Sequence, residues 1–212
     1  MEQKKYEFTG ETMDFFGTML HRIRALRAFS DINIGDIGGW VEKEKNLSHK
    51  GDARVYGEAQ VSGNARVYGE AQVSDEAQVY GEARVSGEAQ VSGEAQVCGE
   101  ARVYGEAQVS GEARVYGNAQ VYGEAQVGGD ARIFCNHHYW TSPRIGSRND
   151  ITTFYRSKDR RIMVVCGCCH TDIEDFARRV KETHGDNQHA RDYERAIQMA
   201  KIWIDLEGDI DE

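Results

Sequence analysis

The sequence predicts a mainly β protein built as a three-sided coil of stacked parallel strands, followed by a small α+β module. Three observations carry this. Residues 53–134 repeat six positions, Ala-Arg/Gln-Val-Tyr/Ser-Gly-Glu, through fourteen units without an insertion. Ala holds the first place in every unit, and Val holds the third in all but the last, where Ile133 stands. Composition then changes at Tyr139-Trp140, just before the only proline, Pro143.

In an extended unit Ala and Val lie two apart and face the same way, while Arg/Gln and Tyr/Ser face the other. A glycine every six residues opposes a helix and marks a corner. So short a unit cannot bury its apolar side alone, so units must stack. Three strands and three corners close a coil of about eighteen residues, with successive coils ~4.8 Å apart.

Upstream, 37–138 is assigned to the coil. Ile37–Glu42 and Asn46-Leu47-Ser48 keep the phase, which puts Val41 and Leu47 at the small-residue place. Segment 1–36 is a cap, with strands expected at Tyr6-Glu7-Phe8 and over His21–Leu26, because repeat arrays need closed ends; the second stretch also reads as a helix, with Leu20, Ile23 and Arg27 on one side. Downstream, 139–212 reads as ββαα. Ile151–Arg156 and Arg161–Cys166 form a hairpin. Thr171, with Glu174 three residues on, opens a helix that Gly185 ends. A second helix runs from about Gln188 to Asp205, with Ala190, Tyr193, Ile197, Ala200 and Ile204 on one face.

Val55/Ala59, Val61/Ala65 and Val67/Ala71 resemble the hexapeptide repeat of left-handed parallel β-helices. Gly35–Glu42 with Asn46-Leu47-Ser48 resembles the start of the repeat in hexapeptide proteins of phages and prophages. Those are commonly labelled hexapeptide transferases or polymer-forming cytoskeletal proteins. Ile145–Asp150, Cys166-Gly167-Cys168 and Thr183–Asp186 resemble a C-terminal module that some of them carry. Cys169 departs from that pattern, which has an aromatic there. The resemblance implies a left-handed coil, side-by-side trimers and a phage setting, but no agreed activity.

The formal charge is −9, and residues 51–135 hold six arginines against thirteen acids, a net of −7. That argues against direct nucleic-acid binding. The polar start Met1–Lys5 is unlike a signal peptide, and no apolar run reaches the ~20 residues of a membrane span. Five cysteines in such a chain suggest reduced thiols in the cytosol of a host cell.

Sorting the units by three gives three outward ladders. One carries Gln72, Gln90, Gln108 and Gln126 beside Ser74, Ser92 and Ser110, flat enough for self-association. A second carries Gln60, Gln78, Gln96, Arg114 and Arg132. The third sets Arg66, Arg84 and Arg102 beside Tyr68, Tyr104 and Tyr122. Arginine beside tyrosine suits a protein-binding hot spot and phosphate-bearing ligands, although the same residues could shield the sheet and pair with corner glutamates. Those corner carboxylates approach the charge spacing of duplex DNA, about 1.7 Å, but the arginines cancel nearly half of it.

The C-terminal candidates are Arg148, Asn149, Asp150, Cys168 and His184. Zinc at Cys166–His170 is disfavoured because no second thiol pair follows, and no metal or cofactor is expected. Acyl transfer, the activity of many hexapeptide proteins, needs a histidine base. None lies between Ala53 and Arg132, and His49, His137 and His138 only flank the coil. The expectation is a non-enzymatic protein that docks a host protein, including a host-defence factor. The alternatives are a CoA-dependent acyltransferase, an assembly component and a nucleotide sponge.

Overall fold

The computed structural model describes residues 4–208. The outer ends of both flanking segments, including Met1-Glu2-Gln3 of the polar start, lie outside the described residues. The chain forms a parallel β-solenoid of about five turns with a small C-terminal module containing two helices. The hairpin β1 (Tyr6–Phe15) and β2 (Thr18–Ala25) leads into β3 (Ile37–Val41). Fourteen two-residue strands follow, β4 (Arg54–Val55) to β17 (Arg132–Ile133).

Residue i pairs with residue i+18 throughout: Arg54 with Gln72, Gln60 with Gln78, Arg66 with Arg84. Three parallel ladders result, and each carries the side chains expected of it. Every Ala and Val from Ala53 to Ile133 is at most 2% exposed. The paired methyl groups form one continuous core, and burial of this kind is the main favourable term in folding.

The corners show why glycine recurs. Gly99 has φ +66, and a Cβ on it would stand 3.0 Å from the nitrogen and the oxygen of Gly117 in the next coil. Asp75 takes the corner without glycine, at φ +59. Its Oδ2 accepts the Gly93 N–H at 2.9 Å, which offsets the strain.

The first coil departs from the period. Val41 pairs with Val61 and Leu47 with Val67, each twenty residues on. Both therefore occupy the valine place, and the phase predicted from counting by six is off by two. Gly51 already stacks on Gly69, eighteen residues on. The two extra residues are accordingly His49 and Lys50, and His49 stacks on Tyr6 at 4.4 Å.

Both strands expected in 1–36 form, as one antiparallel hairpin whose second strand pairs with β3. Lys5 is fully buried and donates to Ala53 O at 2.5 Å. Tyr6 Oη donates to Leu47 O at 3.0 Å. These donors satisfy carbonyls that have no preceding coil to bond.

The C-terminal module has four strands, where the sequence reading had two. β18 (Tyr139–Thr141), β19 (Thr152–Arg156), β20 (Ile162–Cys166) and β21 (Cys169–Asp172) form an antiparallel meander in that order. Short flanking strands like β18 and β21 carry too little alternation to be read locally. Helix α1 (Ile173–His184) starts one residue later than expected, because Asp172 is the cap and accepts from Glu174 N and Asp175 N. Thr171 Oγ1 donates to Asp175 Oδ2 instead. Helix α2 (Gln188–Trp203) buries Ala190, Tyr193, Ile197 and Ala200.

This sheet is a plug with two different faces. Tyr139, Tyr155, Met163 and Val165 pack on the solenoid core, whereas Trp140, Phe154, Ile162 and Val164 pack on the helices. The last coil is closed by acceptors: Asn136 Oδ1 takes the Gln120 N–H at 2.9 Å, and Thr153 Oγ1 takes the Gln126 N–H at 3.0 Å.

The Gly99→Ala change should destabilise the protein by about 1–3 kcal/mol through left-handed strain and the inter-coil contact. Asp75→Gly, which loses a hydrogen bond but relieves strain, should shift stability by less than about 1 kcal/mol. Urea unfolding of both variants checks the contrast.

Candidate binding surface

The ladder with three arginines is a four-stranded sheet in which Arg66, Arg84, Arg102 and Gln120 stand in register. All three guanidinium groups are exposed. Among the described residues, no carboxylate lies within ion-pair distance of any of them, so pairing with the corner glutamates does not occur. Two of the other three coil arginines are tied down, while Arg114 is exposed like the ladder. Arg54 lies 3.2 Å from Asp31, and Arg132 Nη1 donates to the carbonyls of Glu112, Asp130 and Ala131.

The tyrosines divide into two groups. Tyr104 and Tyr122 stack at 5.3 Å and 13°, and Tyr139 from the plug meets Tyr122 edge-on at 6.3 Å. Tyr139 Oη also donates to Gln120 O at 2.7 Å. Tyr68 stands apart because Ser86 separates it from Tyr104 along the ladder. It joins Arg66 and Arg84 in an open depression of about 550 Å³, lined by Glu44 and by Lys45, Ser48 and His49. The sequence reading missed these last three because the extra pair of residues broke the count there. Formal charge gives no signal there, because Lys43, Lys45 and Lys50 are matched by Glu42, Glu44 and Asp52.

The second candidate group lies in the plug. Arg148 and Asn149 belong to a tight turn bridged by Ile145 and Asp150. A Cβ on Gly146 would stand 2.0 Å from the Tyr193 hydroxyl, so only glycine fits. Tyr193 Oη accepts from Cys166 Sγ at 3.7 Å, and burial, then Cys166, pushes its ionisation well above the usual phenol range. The His184 ring stacks on Tyr193 at 5.8 Å, and the Arg148 guanidinium lies against Gly167. Arg148, Asp150, Cys166 and His184 therefore converge on Tyr193. Cys168 sits at the exposed tip of the β20–β21 turn, with no hydrogen bond to His184 among the described residues. Cys166 and Cys169 are directly opposed across that turn, so simple strand alternation through Cys168 does not hold.

The histidines flanking the coil make packing contacts. His137 stacks on Trp203 at 4.9 Å. His138 is buried, with Nδ1 accepting from Phe134 N–H and Nε2 lying 3.0 Å from Arg156 Nη1. Burial first, then the Arg156 charge, holds His138 below the usual imidazole range.

The YdcK beta-solenoid repeat matches this chain over residues 59–75, 77–93, 95–111 and 107–123. The first three matches begin eighteen residues apart, which is one coil. The chain is thus similar to that repeat across the solenoid, and the similarity concerns the fold alone. No curated protein matches the chain. Among the described residues no helix is long and apolar enough to cross a membrane, and no cluster of three or more His, Cys, Asp or Glu could hold a metal ion.

The His138 environment has a consequence for acid stability. The unfolded chain protonates this ring near pH 6.5, while the folded protein resists until lower pH. Below about pH 6.5 the unfolded state binds more protons, so stability falls as pH falls. His138→Gln should flatten that dependence, as read from melting temperature between pH 5 and 7.5.

Proposed function

We propose that this chain is a left-handed, three-sided β-helix that works by binding, without catalysis. Its docking face is the ladder of Arg66, Arg84 and Arg102 with Tyr68, Tyr104 and Tyr122. The observation that carries the reading is a row of exposed arginines, with no carboxylate partner among the described residues, on strands spaced ~4.8 Å apart. The strands fix the spacing of the ladder, and each guanidinium offers a planar fork to carboxylates or phosphates. The adjoining stacked tyrosines supply rigid apolar area.

The partner in this reading is a protein of the host cell's cytosol, a host-defence factor included. The phage setting behind that choice comes from the resemblance of Gly35–Glu42 and Ile145–Asp150. The Gln72–Gln126 ladder, lined by Ser74, Ser92 and Ser110, is the surface for self-association, with a trimer as the expected order. The depression at Arg66, Arg84, Lys45 and His49, which also holds Glu44 paired with Lys4, favours a second reading, capture of a nucleotide-like phosphate ligand.

Wild-type protein should retain a specific host protein that is lost when Arg66, Arg84 and Arg102 are together changed to Glu, with circular dichroism unchanged. Retention of the same partners by the folded triple variant would remove this face from the account. Saturable, heat-stabilising binding of a nucleotide would favour the second reading.

A further inference from the structure

We propose that Cys166 and Cys169 form a reversible dithiol–disulfide site that reacts with small disulfide oxidants such as oxidised glutathione. The two residues are cross-strand partners on antiparallel β20 and β21, joined by the two-residue turn Gly167-Cys168. Gly167 takes the left-handed conformation that this turn needs, at φ +58. Directly paired residues on antiparallel strands project to the same face, with Cα atoms about 4.5–5.5 Å apart. That lies inside the range of about 4.4–6.8 Å that a disulfide spans. Both thiols pack against the same helix-facing cluster, and both are only partly buried, so an oxidant can reach them. Cys168, between them, points to solvent at the tip.

The chemistry balances as two exchanges. One cysteine thiolate attacks glutathione disulfide, forming a mixed disulfide and releasing one glutathione thiolate. The partner thiolate then attacks the protein-side sulfur and releases the second. The protein loses two protons and two electrons, and one glutathione disulfide becomes two thiols. Burial pushes the Cys169 thiol up, so the reaction runs faster in mild alkali.

The bridge would be read by the neighbouring cluster. Cys166 Sγ now donates to Tyr193 Oη and accepts from Thr152 Oγ1 at 3.4 Å. Oxidation removes that S–H donor from Tyr193, the residue on which His184 stacks and around which the Arg148 turn folds. His170, next to Cys169, bonds Tyr155 Oη at 2.5 Å and packs on the corner Gly129 of the solenoid. The redox state of the pair is thereby connected to both faces of the plug.

The test is to incubate the reduced full-length protein with excess oxidised glutathione at pH 8, alkylate the free thiols, and map the cysteines by peptide fragmentation. The expected result is a Cys166–Cys169 bridge that dithiothreitol reverses, with any glutathione adduct confined to the other cysteines, chiefly the exposed Cys168. Cys168→Ser should form the same bridge, and Cys169→Ser should instead carry one glutathione on Cys166. Cys166 and Cys169 both recovered alkylated or glutathionylated, or a bridge that uses Cys168 in the wild type, would overturn the proposal.

Discussion

Stacking in an eighteen-residue register is the constraint on which everything else in this protein depends. A single coil contributes only alanine and valine methyl groups to the interior, and its strands are two residues long. Neither would hold alone: two-residue strands have almost no pairing of their own, and small side chains bury little surface each. Stability arises because every coil is covered by the next, with Val73 on Val91 and Gln72 on Gln90. The outward ladders are a by-product of that register. A slip by one unit would move every arginine to another face.

A stacked array creates a second requirement, since its first and last coils have unpaired backbone groups and a bare apolar cross-section. The two ends solve this with different parts. At the start, the β1–β2 hairpin extends a sheet while Lys5 and Tyr6 donate to the carbonyls of Ala53 and Leu47. At the finish, a four-stranded meander lays Tyr139, Tyr155, Met163 and Val165 over the methyl groups, and Asn136 and Thr153 accept the leftover amide protons. The burial of Lys5 is chemically demanding: desolvation first, then Arg27, holds its ammonium down at about 8. A charged donor is retained there because it also lies 4.8 Å from the Phe29 ring and satisfies the buried carbonyl of Ala53.

The solenoid was legible because its pattern is periodic and its corners demand glycine. The three ladders followed by arithmetic. Legibility failed where local rules give no count. His49 and Lys50 shift the first coil by two residues without any change in hydrophobic pattern, so Val41 and Leu47 were assigned to the wrong place. β18 and β21 are three and four residues long and are stabilised by neighbours distant in sequence, so propensity could not find them. The plug cluster was half visible. Arg148, Asn149, Asp150 and His184 were singled out, but Tyr193 was read only as a core residue of α2. Its position at the centre depends on the close approach at Gly146, which sequence spacing does not reveal.

The same geometry fixes what surrounds the flanking histidines and the arginine ladder. His137 packs on Trp203 and His138 lies beside Arg156 at the solenoid's end, and among the described residues no carboxylate pairs with Arg66, Arg84 or Arg102. That arrangement holds only if coils stack in the stated register in solution. The direct measurement replaces the five native cysteines by serine and introduces cysteine pairs on one ladder. Gln72→Cys with Gln90→Cys should cross-link rapidly and intramolecularly, because adjacent strands bring paired residues within disulfide reach. Gln72→Cys with Gln78→Cys should not, since those side chains stand on different sheets. Equal linking of the two pairs, or preference for the second, would contradict the eighteen-residue coil and the side-chain ladders built upon it.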